Sequence, residues 1–152
     1  DPSAFRDMEA AAERLAQAVL SGETMTVYGD YDVDGATSAA LLIRLIRMLG
    51  HEARHYIPDR LLEGYGPSGE ALVRIAGEGS SLIVTVDCGA MAHEALEMAH
   101  AVGVDVIVVD HHKCSSELPK AMALVNPNRL DEGETAAAHG HLAAVGVAFL
   151  LA

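Results

Sequence analysis

The sequence predicts an α/β fold, a mostly parallel sheet with helices on both faces. Three observations carry that prediction. The apolar runs "TMTVYG", "SLIVTV" and "VDVIVV" (24–29, 81–86 and 104–109) are continuous rather than alternating, as in strands buried on both faces. Segments of helical periodicity stand between them. Strands alternating with helices imply right-handed crossovers and hence parallel pairing.

Each element follows in order. "FRDMEAAAERLAQAVLSG" carries Phe5, Met8, Ala12, Leu15 and Val19 at the spacing of one helical face, and Gly22 is its stop. The strand 24–29 comes next, then "ATSAALLIRLIRMLG", a helix with a wide apolar face that ends at Gly50. "ARHYIP" reads as a strand closed by Pro58. "DRLLEGYGPSG" is rich in glycine and reads as a loop. A helix follows over 68–76, then the strand 81–86, the helix "MAHEALEMAHAVG" and the strand 104–109. "AMALVNP" is a weaker strand and "DEGETAAAHG" a loop. No fixed-period repeat, low-complexity tract or domain linker interrupts the chain.

The totals exclude several classes. At 152 residues and 51% hydrophobic, the chain suits one domain with a real core. No apolar run approaches the roughly 18 residues that span a membrane, and no signal peptide is visible. Cys88 and Cys114 form no Cys-x-x-Cys pair and read as free thiols. The formal charge of −12 has the wrong sign for a surface that simply attracts nucleic acid. The chain starts at Asp1, and "HLAAVGVAFLLA" stops within an apolar helical pattern, so it is expected to be a piece of a longer protein.

Asp30, Asp87 and Asp110 each stand directly after a buried strand, where ligands bind in such sheets. With Asp32, Asp34, His111 and His112 they place many like charges on one edge. Strand-end aspartates often cap the next helix. For the whole set that reading fails, because Lys113 is the only basic residue adjacent to the strand ends. Carboxylate with imidazole, and no thiolate pair, favours Mn²⁺ or Mg²⁺ over structural zinc. The acids exceed the needs of one ion. Two ions about 3.5–4 Å apart are the arrangement used for phosphoryl transfer.

"GDYDVDGATS", "TVDCG" and "VVDHHK", in this order, resemble the first three motifs of the DHH phosphoesterase family. "YIPDRLLEGYGPS", "LVNPNR" and "GVAFLL" narrow the resemblance to its RecJ branch, 5′-to-3′ exonucleases specific for single-stranded DNA. The resemblance implies that Asp30, Asp32, Asp34, Asp87 and His111 are metal ligands, with Asp87 shared between two Mn²⁺ or Mg²⁺ ions. It implies that His112 lies at the scissile phosphate, that Asp110 orients a histidine, and that Arg60 holds the 5′-terminal phosphate. It implies further a cytoplasmic, monomeric repair and recombination enzyme, with single-stranded DNA, single-strand-binding protein and a helicase as partners and no membrane. The family's fourth motif and its second, nucleic-acid-binding domain are not among these residues. Residues 1–152 are therefore expected to be the catalytic domain in part, inactive alone and tight for at most one ion.

Other readings compete. "DVDGAT" also resembles the nucleophile loop of haloacid-dehalogenase-type phosphatases, with Asp32 attacking phosphorus and Asp34 as acid and base; that leaves Asp30, His111 and His112 without work. Within the DHH family, the substrate would alternatively be a short oligonucleotide or a nucleotide bisphosphate. A catalytically silent nucleic-acid-binding scaffold is a third possibility, although every ligand of the first three motifs is intact. His51, His55, His93, His100, His139 and His141 read as surface residues, Tyr28 and Tyr31 as sheet-edge packing, and Met48 and Met98 as core filler. Tyr65 is given no role beyond a potential base-stacking one.

Overall fold

The computed structural model describes all residues, Asp1–Ala152. A 3-10 turn (Pro2–Ala4) leads into α1 (Met8–Ser21), then β1 (Met25–Gly29), α2 (Val33–Met48), β2 (Ala53–Tyr56), α3 (Arg60–Glu63) and α4 (Gly69–Gly77). The second half runs β3 (Leu82–Val86), α5 (His93–Ala101), β4 (Asp105–Val109), β5 (Ala123–Val125), α6 (Glu134–Ala137) and α7 (Ala144–Leu151). The five strands pair in the order β2-β1-β3-β4-β5, every pair parallel. Chain direction across the sheet reverses between β1 and β3. This is the switch point, where the crossovers diverge and a crevice opens beyond the strand ends.

Successive residues in each strand feed opposite faces. Val27, Val84, Ile107 and Val109 join α1, α2 and α7 in one core, whereas Tyr28, Ile83, Val106 and Val108 join α4 and α5 in the other. That two-sided burial is why these strands lack alternation. No helix is long and apolar enough to cross a membrane. Cys88 and Cys114 are free and buried.

The edge strand β5 is covered by a polar latch. The Asp7 carboxylate accepts from the Leu124 amide (3.1 Å) and from Arg129 Nη1 (2.8 Å), and Arg129, 8% exposed, also pairs with Asp131. The "NPNR" arginine thus blocks an unpaired strand edge.

Several details depart from the sequence-based expectation. α1 buries Met8, Ala11, Leu15 and Ala18, leaving Ala12 and Val19 at the margin of that face. α2 starts at Val33, three residues before the apolar pattern, because the Asp32 carboxylate caps it by accepting from the Gly35 amide (3.0 Å). The segments read as loops contain α3 and α6, single helical turns too short to show a period; Asp59 caps α3 through the amides of Leu61 and Leu62. Met48 is not core filler: it is 83% exposed at the last turn of α2. Met98 is 38% exposed and covers Gly69, where a Cβ would collide with its sulfur. Of the six histidines read as surface residues, His51 and His93 are half-buried; His51 Nε2 lies 2.7 Å from the Glu23 carbonyl.

Candidate metal centre

The sheet ladder continues one step past three strands. The amide of Asp30 donates to Val86 O (3.2 Å), that of Asp87 to Val109 O (3.0 Å) and that of Asp110 to Val125 O (3.1 Å). Each aspartate is therefore held rigidly at the carboxyl edge, and each is at most 3% exposed. Asp30 and Asp87 flank the switch point. Asp87 leaves β3 in the left-handed region, φ 62°, a conformation that costs most residues about 1–2 kcal/mol and that aspartate tolerates comparatively well.

Ligand atoms of Asp30, Asp32 and Asp87 lie within 4.8 Å of one another, as do those of Asp87, His111 and His112. Asp87 belongs to both groups. Asp30 Oδ1 and Asp87 Oδ1 are buried with no hydrogen-bond partner, an arrangement that costs free energy unless something else meets them. Asp34 is oriented differently. It sits in the first turn of α2, and its two oxygens accept from the amides of Ala144 (2.7 Å) and Val145 (2.9 Å) at the start of α7. Asp34 Oδ2 is still 3.7 Å from His111 Nε2, and a carboxylate oxygen holding one hydrogen bond keeps a second lone pair.

The protein itself provides too little positive charge here. Burial, then the charges of Asp34 and Asp32, push the Asp87 carboxyl up to about 8. Burial also raises Asp30, against the opposing Tyr31 amide. Asp32 alone of the three is lowered, first by its bond from the Gly35 amide. A buried carboxylate that favours a proton at neutral pH is one that a cation would discharge equally well. Carboxylate oxygens with imidazole, and no thiolate, suit Mg²⁺ or Mn²⁺.

The histidines are held differently. Asp110 Oδ1 accepts from the amides of His111 (2.7 Å) and His112 (3.2 Å) and from His112 Nδ1 (2.7 Å), while Oδ2 accepts from the Ala90 amide (3.0 Å). Burial pushes the Asp110 carboxyl up, but His112 and these amides outweigh it and hold it low. The same bond raises His112. Asp110 is thus committed to orienting the His112 ring through Nδ1. Tyr65, left without a role above, places its hydroxyl 3.3 and 3.4 Å from the two His112 ring nitrogens and 3.4 Å from Asp87 O. Its signal was local: Gly64 and Gly66, at φ 79° and 78°, turn the chain on both sides of it. A cavity of about 260 Å³ opens between Tyr65, Pro67, Ala90, Met91 and His112. Arg60, on α3, stacks over the Tyr31 ring at 4.9 Å and takes part in none of the chain's ion pairs.

A family profile described as "DHH family, N-terminal domain" matches residues 24–152, so it includes every residue of this cluster. The chain belongs to the DHH family. Membership displaces the dehalogenase-type reading of "DVDGAT". Among DHH relatives, the single-stranded-DNA-specific exonuclease RecJ of Bacillus subtilis is 43% identical over 152 residues, covering 100% of this chain and 19% of the relative. RecJ of Escherichia coli is 43% identical over 145 residues, 95% of this chain and 25% of the relative. The chain thus spans about a fifth to a quarter of these relatives. Among solved structures, a RecJ exonuclease bound to manganese superposes with TM-score 0.84 at 37% identity, covering 97% of this chain and 36% of that one. RecJ of Thermus thermophilus in complex with Mn²⁺ gives TM-score 0.77 at 34% identity over 97% of this chain and 20% of that one.

Proposed function

We propose that the complete protein carrying this DHH chain holds two Mn²⁺ or Mg²⁺ ions, and that residues 1–152 supply most of the catalytic centre of a 5′-to-3′ exonuclease acting on single-stranded DNA. One observation carries the reading: two buried carboxylate oxygens, on Asp30 and Asp87, converge without hydrogen-bond partners at the switch point of the sheet. The manganese-bound RecJ relatives support the choice of ion, and the names of the curated relatives support the substrate.

Asp30, Asp32 and Asp87 would hold one ion; Asp87, His111 and Asp34 would hold the other. Bound there, such ions supply charge at the phosphoryl oxygens and acidify water. The chain's own residues do the rest. Asp110 holds the His112 ring so that Nε2–H faces a non-bridging oxygen of the scissile phosphate. Tyr65 packs against that ring and limits its rotation. Arg60, oriented by stacking on the Tyr31 ring, offers a planar fork of donors to the 5′-terminal phosphate. In this proposal residues 1–152 are the metal-binding half of the catalytic unit. The protein works in the cytoplasm as a monomer, in repair and recombination, alongside single-strand-binding protein and a helicase.

The test is hydrolysis of 5′- and 3′-labelled single strands, with Mn²⁺ or chelator, by the protein carrying this chain. Release of mononucleotides from the 5′ end only, abolished by Asp87→Ala, supports the proposal. Release from the 3′ end, or undiminished turnover in chelator, contradicts it.

A further inference from the structure

Two asparagines of the "VNPNR" segment, unused by the mechanism above, bind the backbone of the two histidines. Asn126 is fully buried at the end of β5. Its Nδ2 donates to the His112 carbonyl (2.8 Å) and approaches Cys114 Sγ (3.2 Å). Asn128 Nδ2 donates to the His111 carbonyl (2.5 Å) and to the Gly140 carbonyl (3.0 Å). The pair is itself linked, because the Asn128 amide donates to Asn126 Oδ1 (2.8 Å). Each motif histidine therefore has its own side-chain clamp on its main-chain oxygen. Neither carbonyl lies in a strand, so nothing in the sheet ladder would fix it.

Asn128 also closes a loop through the fold. Gly140 leads into α7, and a Cβ at Gly140 would strike Asn128 Oδ1, so a larger residue there would displace the Asn128 side chain. The amides at the start of α7 bind Asp34, and Asp34 Oδ2 faces His111 Nε2 at 3.7 Å. His111 is thereby bracketed, its carbonyl by Asn128 and its ring by carboxylates that α7 positions.

We infer that Asn126 and Asn128 are positioning residues that set the backbone of His112 and His111 for metal and phosphate binding, with Asn128 also fixing the entry to α7. The inference rests on the proposed metal centre. Groups that orient metal-binding side chains typically account for about 10- to 100-fold in metal affinity or activity, and a clamp one bond further back acts on the same geometry.

The test uses Asn126→Asp and Asn128→Asp in the protein carrying this chain. Both variants keep the shape of the side chain and replace the donor with a carboxylate oxygen. Both also add negative charge, which by attraction alone would tighten a cation. The readouts are the Mn²⁺ affinity by calorimetry, kcat and KM on a single strand, and nitrogen-15 relaxation of the His111 and His112 amides, all well below the thermal midpoint. The expected result is a roughly 10- to 100-fold loss in Mn²⁺ affinity or kcat, with KM little changed. Relaxation should show Asn128→Asp loosening His111 and Asn126→Asp loosening His112. If Asn128→Asp is too unstable to study, Asn128→Ser substitutes for it, and Asn126→Ser substitutes likewise for Asn126→Asp. A lowered midpoint with unchanged affinity, kcat and relaxation would overturn the inference and leave the pair a purely structural brace. If the wild type neither binds Mn²⁺ nor cleaves DNA, the metal reading fails instead, and the relaxation data alone decide the clamp.

Discussion

Asp87 Oδ1 and His111 Nε2 lie 3.3 Å apart without forming a hydrogen bond, and that oxygen has no other partner. Two groups from different strand ends come close yet do not satisfy each other. This is the arrangement of ligands converging on a third body. Asp87 also carries an electrostatic cost, from its burial first and then from the charges of Asp34 and Asp32.

That cost should be visible as a pH dependence in the metal-free chain. The Asp87 carboxyl is raised to about 8 in the fold, well above its unfolded value, so the folded state binds this proton more tightly. The associated stability is present at acidic pH and is lost as pH rises through about 8. With chelator present, urea midpoints between pH 5 and 9 should fall with pH. Asp87→Asn should flatten that fall. Parallel curves for the two proteins would mean that Asp87 ionises at its ordinary value.

A bound cation should reverse the cost. Free Mn²⁺ at a hundred times its dissociation constant adds about 2.7 kcal/mol. For a domain of this size that is a rise of roughly 5–10 °C in the thermal midpoint. Asp30→Ala should lose most of this rise while keeping the apo midpoint within a few degrees. An equal rise in the variant would place the ion elsewhere.

Gly35 explains why a glycine follows the third aspartate. A Cβ there would lie 2.6 Å from the Asp30 backbone N and 2.7 Å from its C, with no flexible side chain to yield. Gly35→Ala should cost about 1–3 kcal/mol as overpacking and displace Asp30. Chemical denaturation measures the first effect and Mn²⁺ calorimetry the second; an unperturbed variant would show the α2–β1 approach to be looser than described.

Arg60 has no ion-pair partner, which leaves its guanidinium free for a phosphate. Arg60→Ala should reduce the preference for 5′-phosphorylated over 5′-hydroxyl strands by about 1.5–3 kcal/mol, roughly ten- to more than a hundredfold. Competition between the two strand types measures it. An unchanged preference would return Arg60 to a packing role on Tyr31.

Much of this was legible in the sequence, for a physical reason. A strand buried on both faces is a continuous apolar run, so Asp30, Asp87 and Asp110 were placed at strand ends by hydropathy alone. Their convergence followed from parallel topology. What escaped the reading depends on contacts between distant segments or on elements without a period. The start of α2 lay hidden because Asp32 caps it from outside the apolar pattern, and so the contact of Asp34 with α7 was invisible. α3, which carries Arg60, is one turn long. Tyr65, Asn126 and Asn128 reach the histidines across loops, and no local spacing announces such a contact.

The most direct test of the central claim is anomalous diffraction at the manganese edge from crystals of this chain soaked in Mn²⁺. The expected result is a peak coordinated by Asp87 Oδ1 and Asp30 Oδ1 at the β1–β3 switch point. No peak there, or a peak bound by other residues with both oxygens still unpartnered, would contradict it.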